Sequence, residues 1–202
     1  MAAREVVAII LAAGDGERMG GSKALLVASG EPLAAAHVHR MREAGVSRVV
    51  LVVRPSVAAR LGAFPDAQVL LSSAPDPAGS LAVAVRGAAI AKDALVLVTP
   101  VDAAPATLAT IEALAAALAE APLALAATPR HGGSGGHPIL CHAEVLAPYR
   151  EEATPPPLRD VLRSLGDRRL RVDVDDARVL VDLDTPDDVL AWTGHAPGFL
   201  GG

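Results

Sequence analysis

Short runs of Val, Ile and Leu alternate along the chain with alanine-rich stretches of helical composition. The runs at residues 6–11, 48–53, 69–71, 95–98 and 123–127 are almost wholly apolar, as strands covered on both faces read. Helices are expected at 32–44, 57–61, 79–91, 106–120 and 157–165. Strands separated in this way by helices indicate βαβ units and a parallel sheet. The expected fold is therefore α/β: a three-layer sandwich around a mostly parallel sheet, formed by residues 1–194 as one domain, with 195–202 as a loose tail. Residues 128–136 read as a flexible loop, and the proline-rich stretch 147–157 as a second insertion facing substrate.

Composition narrows the function classes. A chain of 202 residues with 51% hydrophobic content can bury a large core. Its single cysteine, Cys141, forms no internal disulfide and reads as a small buried hydrophobe. The start of the chain lacks a secretory pattern and no run reaches the roughly 18 apolar residues of a membrane span, so a cytoplasmic protein without membrane contact is expected. A net charge of −5 and an aromatic share of 2% argue against a nucleic-acid partner, which calls for a basic face and stacking platforms.

The most informative stretch is 11–23, Leu-Ala-Ala-Gly-Asp-Gly-Glu-Arg-Met-Gly-Gly-Ser-Lys, directly after the first apolar run. Gly14, Gly16, Gly20 and Gly21 are suited to positive φ and to close approach of backbone N–H groups to an anion. Arg18 and Lys23 add fixed positive charge, which stabilises phosphate oxygens and a departing pyrophosphate. The order Gly21-Ser22-Lys23-Ala24 lacks the hydroxyl that follows the lysine of a P-loop. Counted from Gly14, the sixth place of a dinucleotide fingerprint is Met19, and no acid follows the next strand, which ends in Arg54-Pro55-Ser56.

In an open parallel sheet, ligands sit at the carboxyl ends of the strands. Asp102 follows the run at 95–98 by a few residues, on the same rim as the glycine-rich loop. Asp182 and Asp184 flank Leu183, so in an extended segment their side chains share one face. Paired with Asp102, either completes a Mg²⁺ site, because this ion needs only one or two carboxylates besides substrate phosphates and water. Asp184 also begins Asp-Thr-Pro-Asp-Asp, a helix-start pattern, and Asp187 and Asp188 are assigned only to that. Ser80 is either a helix N-cap or a ligand to base or ribose. His37 and His39 lie two apart on a helix and cannot face one ligand.

The chain resembles the MobA-like nucleotidyltransferases, and among them the molybdenum cofactor cytidylyltransferases. Besides 11–23, the resemblance rests on Ala78-Gly79-Ser80-Leu81, Thr99-Pro100-Val101-Asp102, Gly136-His137-Pro138-Ile139-Leu140, Leu158-Arg159-Asp160, and the run from Val181 to Asp188. It implies a Rossmann-like fold of the nucleotide-diphospho-sugar transferase type and Mg²⁺-dependent transfer of CMP from CTP to a phosphate-bearing acceptor, molybdopterin or the molybdenum cofactor, with release of pyrophosphate. A molybdoenzyme client or accessory protein would be its partner. Leu11, Ala12, Ala13, Gly14, Gly16, Arg18, Lys23 and Ser80 would bind the nucleotide, with Lys23, Arg18 and Asp102 acting in catalysis. Asp102 and Asp184 would hold the metal, and Gly136, His137, Pro138 and Asp182 the acceptor. Ala-Ala-Gly at 12–14 points to cytidylyl rather than guanylyl transfer. The rival readings are a guanylyltransferase, a sugar- or alcohol-phosphate nucleotidyltransferase, and a non-catalytic nucleotide-binding chaperone of cofactor delivery.

Overall fold

The computed structural model describes residues 4–28 and 30–201; residues 1–3 and 29 of the expected domain and residue 202 of the expected tail lie outside them. The strands are β1 Val6–Ala12, β2 Leu26–Ala28, β3 Glu31–Pro32, β4 Arg48–Val53, β5 Gln68–Leu71, β6 Leu95–Pro100, β7 Ala126–His131, β8 Ser134–Gly135, β9 Ile139–His142, β10 Arg169–Asp173 and β11 Gly198–Phe199. The α-helices are α1 Leu33–Glu43, α2 Pro55–Leu61, α3 Pro77–Gly87, α4 Leu108–Glu120, α5 Ala147–Glu151, α6 Leu158–Ser164 and α7 Pro186–Thr193.

The main sheet runs β10-β7-β9-β6-β1-β4-β5, with β8 paired to β7. Its spine β6-β1-β4-β5 is parallel, β10 is parallel to β7, and β9 runs antiparallel between β6 and β7. Alternation along the strands sends side chains to opposite faces. Ala8, Ile10 and Ala12 of β1 join Leu33 and Met41 of α1 and Leu114 of α4 in one core, while Val7 and Ile9 join Leu81 and Val85 of α3, Tyr149 of α5 and Leu162 of α6 in the other. Two apolar layers on a doubly covered sheet make the three-layer, Rossmann-like α/β sandwich expected from the pattern.

Four sequence expectations give way. The strand expected at 123–127 starts at Ala126, leaving Leu123 exposed, and continues through the segment read as a flexible loop. There Gly132 and Gly133 take φ of 54° and 87°, the positive pair that a two-residue hairpin turn demands, and they join β7 to β8. The proline-rich insertion holds α5, fixed by the buried Tyr149, whose hydroxyl donates to the Pro156 carbonyl at 2.8 Å. The expected loose tail is also ordered at its centre: β11 pairs with β2, and the Leu200 amide donates to the Leu25 carbonyl at 2.9 Å.

This short pairing matters because β2 follows the glycine-rich loop. The Phe199 ring packs on Gly21, whose missing Cβ would lie 3.0 Å from it. We expect Phe199→Ala to lower stability by about 2 kcal/mol in urea unfolding, short of the 3–5 typical of a fully buried Phe, since the residue is only half-buried. Amide exchange of residues 20–26 should quicken at the same time.

Candidate functional site

The loop after β1 is shaped by two glycines rather than by all of those the sequence offers. Gly16 and Gly20 have φ of 66° and 74°, and a Cβ on Gly16 would lie 1.9 Å from the Gly21 carbonyl oxygen, so no other residue fits there. Gly14 and Gly21 do not take positive φ: Gly21 is small to admit Phe199, and nothing lies within 4 Å of where a Gly14 side chain would begin. Met19, buried, anchors the loop to the core, and its amide donates to the Gly16 carbonyl at 2.9 Å. Arg18 and Lys23 therefore project from a backbone held at both ends.

Asp102 reaches the same rim from β6. The Val101 amide donates to the Leu11 carbonyl at 2.9 Å, which ties the end of β6 to the end of β1. Beyond it the chain pairs with the segment before α7: Ala103 bridges Asp182, Leu183 N–H donates to the Asp102 carbonyl at 2.8 Å, and Ala104 N–H to that of Val181 at 2.9 Å. Leu183 is fully buried, with Asp182 and Asp184 on either side of it in the chain. The helix-start role considered for Asp184 belongs to Thr185, which forms a capping box with Asp188. The Asp184 carboxylate is left to other partners.

Those partners are the loop cations. Lys23 Nζ donates to Asp102 Oδ2 at 2.9 Å and also to Asp184 Oδ1, and Arg18 Nη2 lies 3.3 Å from Asp184 Oδ1. Burial disfavours the Lys23 ammonium, but the hydrogen bonds to Asp184 and Asp102 outweigh it and its pKa is raised. The hydrogen bond from Lys23 holds the Asp184 carboxyl below the ordinary range. Asp182 moves the other way, pushed up by burial and by Asp102 and Asp184, against the pull of His137.

Two clefts flank this cluster. The first, about 460 Å³, is lined by Leu11, Ala13, Gly14, Gly16, Arg18, Lys23, Ser80 and Asp102 among others. Ala12 is not part of its wall; its side chain lies in the core, because alternation along β1 turns it inward. Ser80 is not an N-cap: Asp76 caps α3 through Gly79 N–H, and the Ser80 hydroxyl is buried 3.2 Å from that of Ser72. The second cleft, about 690 Å³, is lined by Gly136, His137 and Asp182 together with Arg159, Arg169 and Arg171. Gly136 packs so closely on the segment before α7 that a Cβ would sit 1.8 Å from the Val179 carbonyl oxygen. Burial lowers the His137 pKa, and its buried Nδ1 has no partner among the described residues. Pro138 is buried and does not line the cleft.

Sequence reasoning missed several lining residues. Arg54, noted only as the place where a ribose-binding acid is absent, lines the first cleft and donates to Asp15 Oδ2 at 2.7 Å. Asp15 is thus engaged across the cleft mouth. The signal was weak: an arginine at the carboxyl end of a parallel strand. Arg169 and Arg171 carried a clearer one, two positions apart and therefore on one face if the segment is a strand.

The MobA-like NTP transferase domain family matches residues 8–171 of the chain. Among solved structures, Rv0371c from Mycobacterium tuberculosis H37Rv is similar at 23% identity and a TM-score of 0.75, over 96% of this chain and 100% of that one. Its manganese complex gives 21%, 0.73 and the same coverages. The 4-diphosphocytidyl-2C-methyl-D-erythritol synthase of Anaerococcus prevotii DSM 20548 is similar at 14% identity and a TM-score of 0.73, over 95% of this chain and 97% of that one. No curated protein matches the chain. Among the described residues, no helix is long and apolar enough to cross a membrane.

One buried group supports the rim from behind. His37 of α1 is fully buried, and its Nε2–H donates to the Ala103 carbonyl at 2.8 Å, next to Asp102. Burial lowers its pKa to about 4. The unfolded chain therefore takes up a proton near pH 6.5 that the folded chain refuses until about 4, so the stabilisation is complete above 6.5 and is lost as pH falls toward 4. The stability difference between the native chain and His37→Gln, measured by urea unfolding, is expected to shrink by about 2 kcal/mol between pH 7 and pH 4.5.

Proposed function

The chain belongs to the MobA-like NTP transferase family, and from that premise we propose that it transfers CMP from CTP to a phosphate-bearing acceptor, molybdopterin or the molybdenum cofactor, with release of pyrophosphate. The observation that carries the reading is the junction of two clefts at one charge cluster. The glycine-rich loop, Arg18 and Lys23 line one side, Gly136, His137 and Asp182 the other, and Asp102 with Asp184 stands between.

In this arrangement the first cleft takes the nucleotide, with backbone groups at Ala13 and Gly14 at the base edge and Ser80 near base or ribose. A phosphate oxygen of the acceptor attacks the α-phosphorus in line; the new P–O bond forms as the bond to the β-phosphate bridging oxygen breaks, and pyrophosphate leaves toward Lys23 and Arg18. The acceptor phosphate is already anionic near neutral pH, so no side-chain nucleophile is required. The work is positioning and neutralisation of charge. Gly136 and His137 position the acceptor, with Asp182 beside them.

The residues also suit a divalent cation. Two carboxylates converge on the Lys23 ammonium, so their oxygens already surround one positive charge, and hard oxygen donors in such a pair fit Mg²⁺ or Mn²⁺. Asp102 and Asp184 would hold the ion, which supplies neutralisation of the triphosphate and polarisation of the α-phosphate. The manganese complex of Rv0371c supports a divalent cation in a protein of this fold.

Lys23→Ala is expected to lower the rate of pyrophosphate release by on the order of 10²–10³ while leaving the unfolding midpoint within a few degrees of native. Asp102→Asn should abolish metal-dependent turnover in a folded protein, and Asp187→Asn should leave it intact. An unaltered rate in Lys23→Ala would remove the lysine from the chemistry.

Nucleotide choice rests on Ala13, which lines the first cleft. A methyl there leaves less room for a purine than glycine would, and the cytidylyl product in the name of the A. prevotii enzyme favours the same choice. We expect kcat/KM for CTP to exceed that for GTP with one acceptor, and Ala13→Gly to narrow the gap by about 1–3 kcal/mol in transition-state binding. A native preference for GTP would overturn the cytidylyl assignment and leave nucleotidyl transfer standing.

A further inference from the structure

The second cleft holds more positive charge than one reacting phosphate calls for. Arg169 and Arg171 alternate along β10, so both face the side of the sheet covered by α6, while Leu170 and Val172 between and beyond them pack into the opposite core. Arg159 stands at the start of α6 on the facing wall. The neighbouring acids are largely engaged elsewhere. Asp173, next on the same face of β10, takes two bonds of 2.6 Å from Arg130, and Asp160 accepts from Arg163 at 2.8 Å while Arg159 stays 3.9 Å away. Among the described residues neither Arg169 nor Arg171 pairs with a carboxylate, and Arg169 spends its Nε–H on the Thr128 hydroxyl at 3.3 Å. Burial and the neighbouring Arg171 both lower the Arg169 pKa, the mark of like charges held together.

This basic wall is set apart from the transfer centre. Asp182 and His137 mark the near end of the cleft, within electrostatic reach of Asp102. The far end lies on β10, three strands from β6. At about 4.8 Å per strand the two rows are roughly 14 Å apart, and strand side chains stand near-perpendicular to the sheet, so the lateral gap persists. One phosphate does not reach both the in-line position beside Asp102 and the guanidinium pair.

We infer that the acceptor carries a second anionic group, remote from its reacting phosphate, which Arg169 and Arg171 bind with Arg159 closing over it. This inference rests on the transfer reading only in naming the occupant as the acceptor. Planar guanidiniums suit a carboxylate or another oxyanion with paired oxygens, and clustered like charges in a chain of net charge −5 are relieved when such an anion binds.

The test is direct binding, without turnover, of two probes that differ only at the end remote from phosphate. 10-(Phosphonooxy)decanoate carries a carboxylate there, and decane-1,10-diol monophosphate a hydroxymethyl group; both chains, extended, span about the 14 Å between the two rows. By titration calorimetry the native chain should bind the first at least about tenfold more tightly; Arg171→Gln should reduce the preference, and Arg169→Gln with Arg171→Gln should abolish it, with CTP affinity unchanged. Equal affinities in the native chain, no binding of either probe, or a preference that survives the double substitution overturns the inference. The two readings fail separately: a preference lost as expected without pyrophosphate release for any nucleotide keeps the anion site and removes the transfer, whereas release with no carboxylate preference does the reverse.

Discussion

The Lys23 ammonium is the point on which the site turns. It joins carboxylates 79 and 161 residues away along the chain, and both bonds are partly buried. Without that cation the two half-exposed carboxylates would repel and their convergence on one point would be lost, while the backbone bridge holds the loops that carry them in place. With Arg18 on the outer side of Asp184, two cations face two anions. Local neutrality lets so many charged groups share one edge of a sheet. It also makes their partners exchangeable: in the proposed reaction an incoming triphosphate would offer the cations alternative oxygens and release the carboxylates for a divalent ion.

The geometry needed for that exchange comes from backbone pairing. The bridge between Ala103 and Asp182, with its flanking bonds, ties the turn after β6 to the segment before α7. Leu183 pins that segment by filling the core beneath it, and His37 braces the other strand of the bridge through the Ala103 carbonyl. The capping box at Thr185 then starts α7 without drawing on Asp184. Each charged side chain is thus free of structural duty because a neighbour performs it.

This division explains what could be read from the sequence. The central strands were legible because they are covered on both faces: Arg48–Val53 is apolar beyond its first residue and matches the expected run end for end. The edges were not. β7 ends in Pro-Arg-His and β10 reads Arg-Leu-Arg-Val-Asp, so their polar positions masked them until the hairpin and the sheet order were known. β11 is two residues long, and its pairing depends on β2, which has no local signature. At the site, the glycine-rich loop and Asp102 declared themselves through type and place. Arg54 did not, since an isolated arginine at a strand end has the same appearance whether it lines a cleft or faces solvent, and the spacing of Arg169 and Arg171 puts them on one face only if that segment is a strand. Of the two roles open to Ser80, the N-cap falls away because Asp76, one turn earlier, satisfies that end of α3 through Gly79.

The two anionic substrates proposed for this chain of net charge −5 would meet a long-range field of the wrong sign. Attraction has to arise locally, and the described cations are arranged to supply it: Arg18, Lys23 and Arg54 border the first cleft, and Arg159, Arg169 and Arg171 the second. Fields from such clusters are focused by low-dielectric cleft walls but fade within about 10 Å at ordinary ionic strength. The clefts therefore act over contact distances more than over approach. In the first, most of the cations are already paired with acids, so selectivity there falls to shape and backbone at Ala13 and Gly14. In the second, the guanidiniums of β10 lack acid partners, and the charge distribution of the ligand itself becomes the quantity that is read.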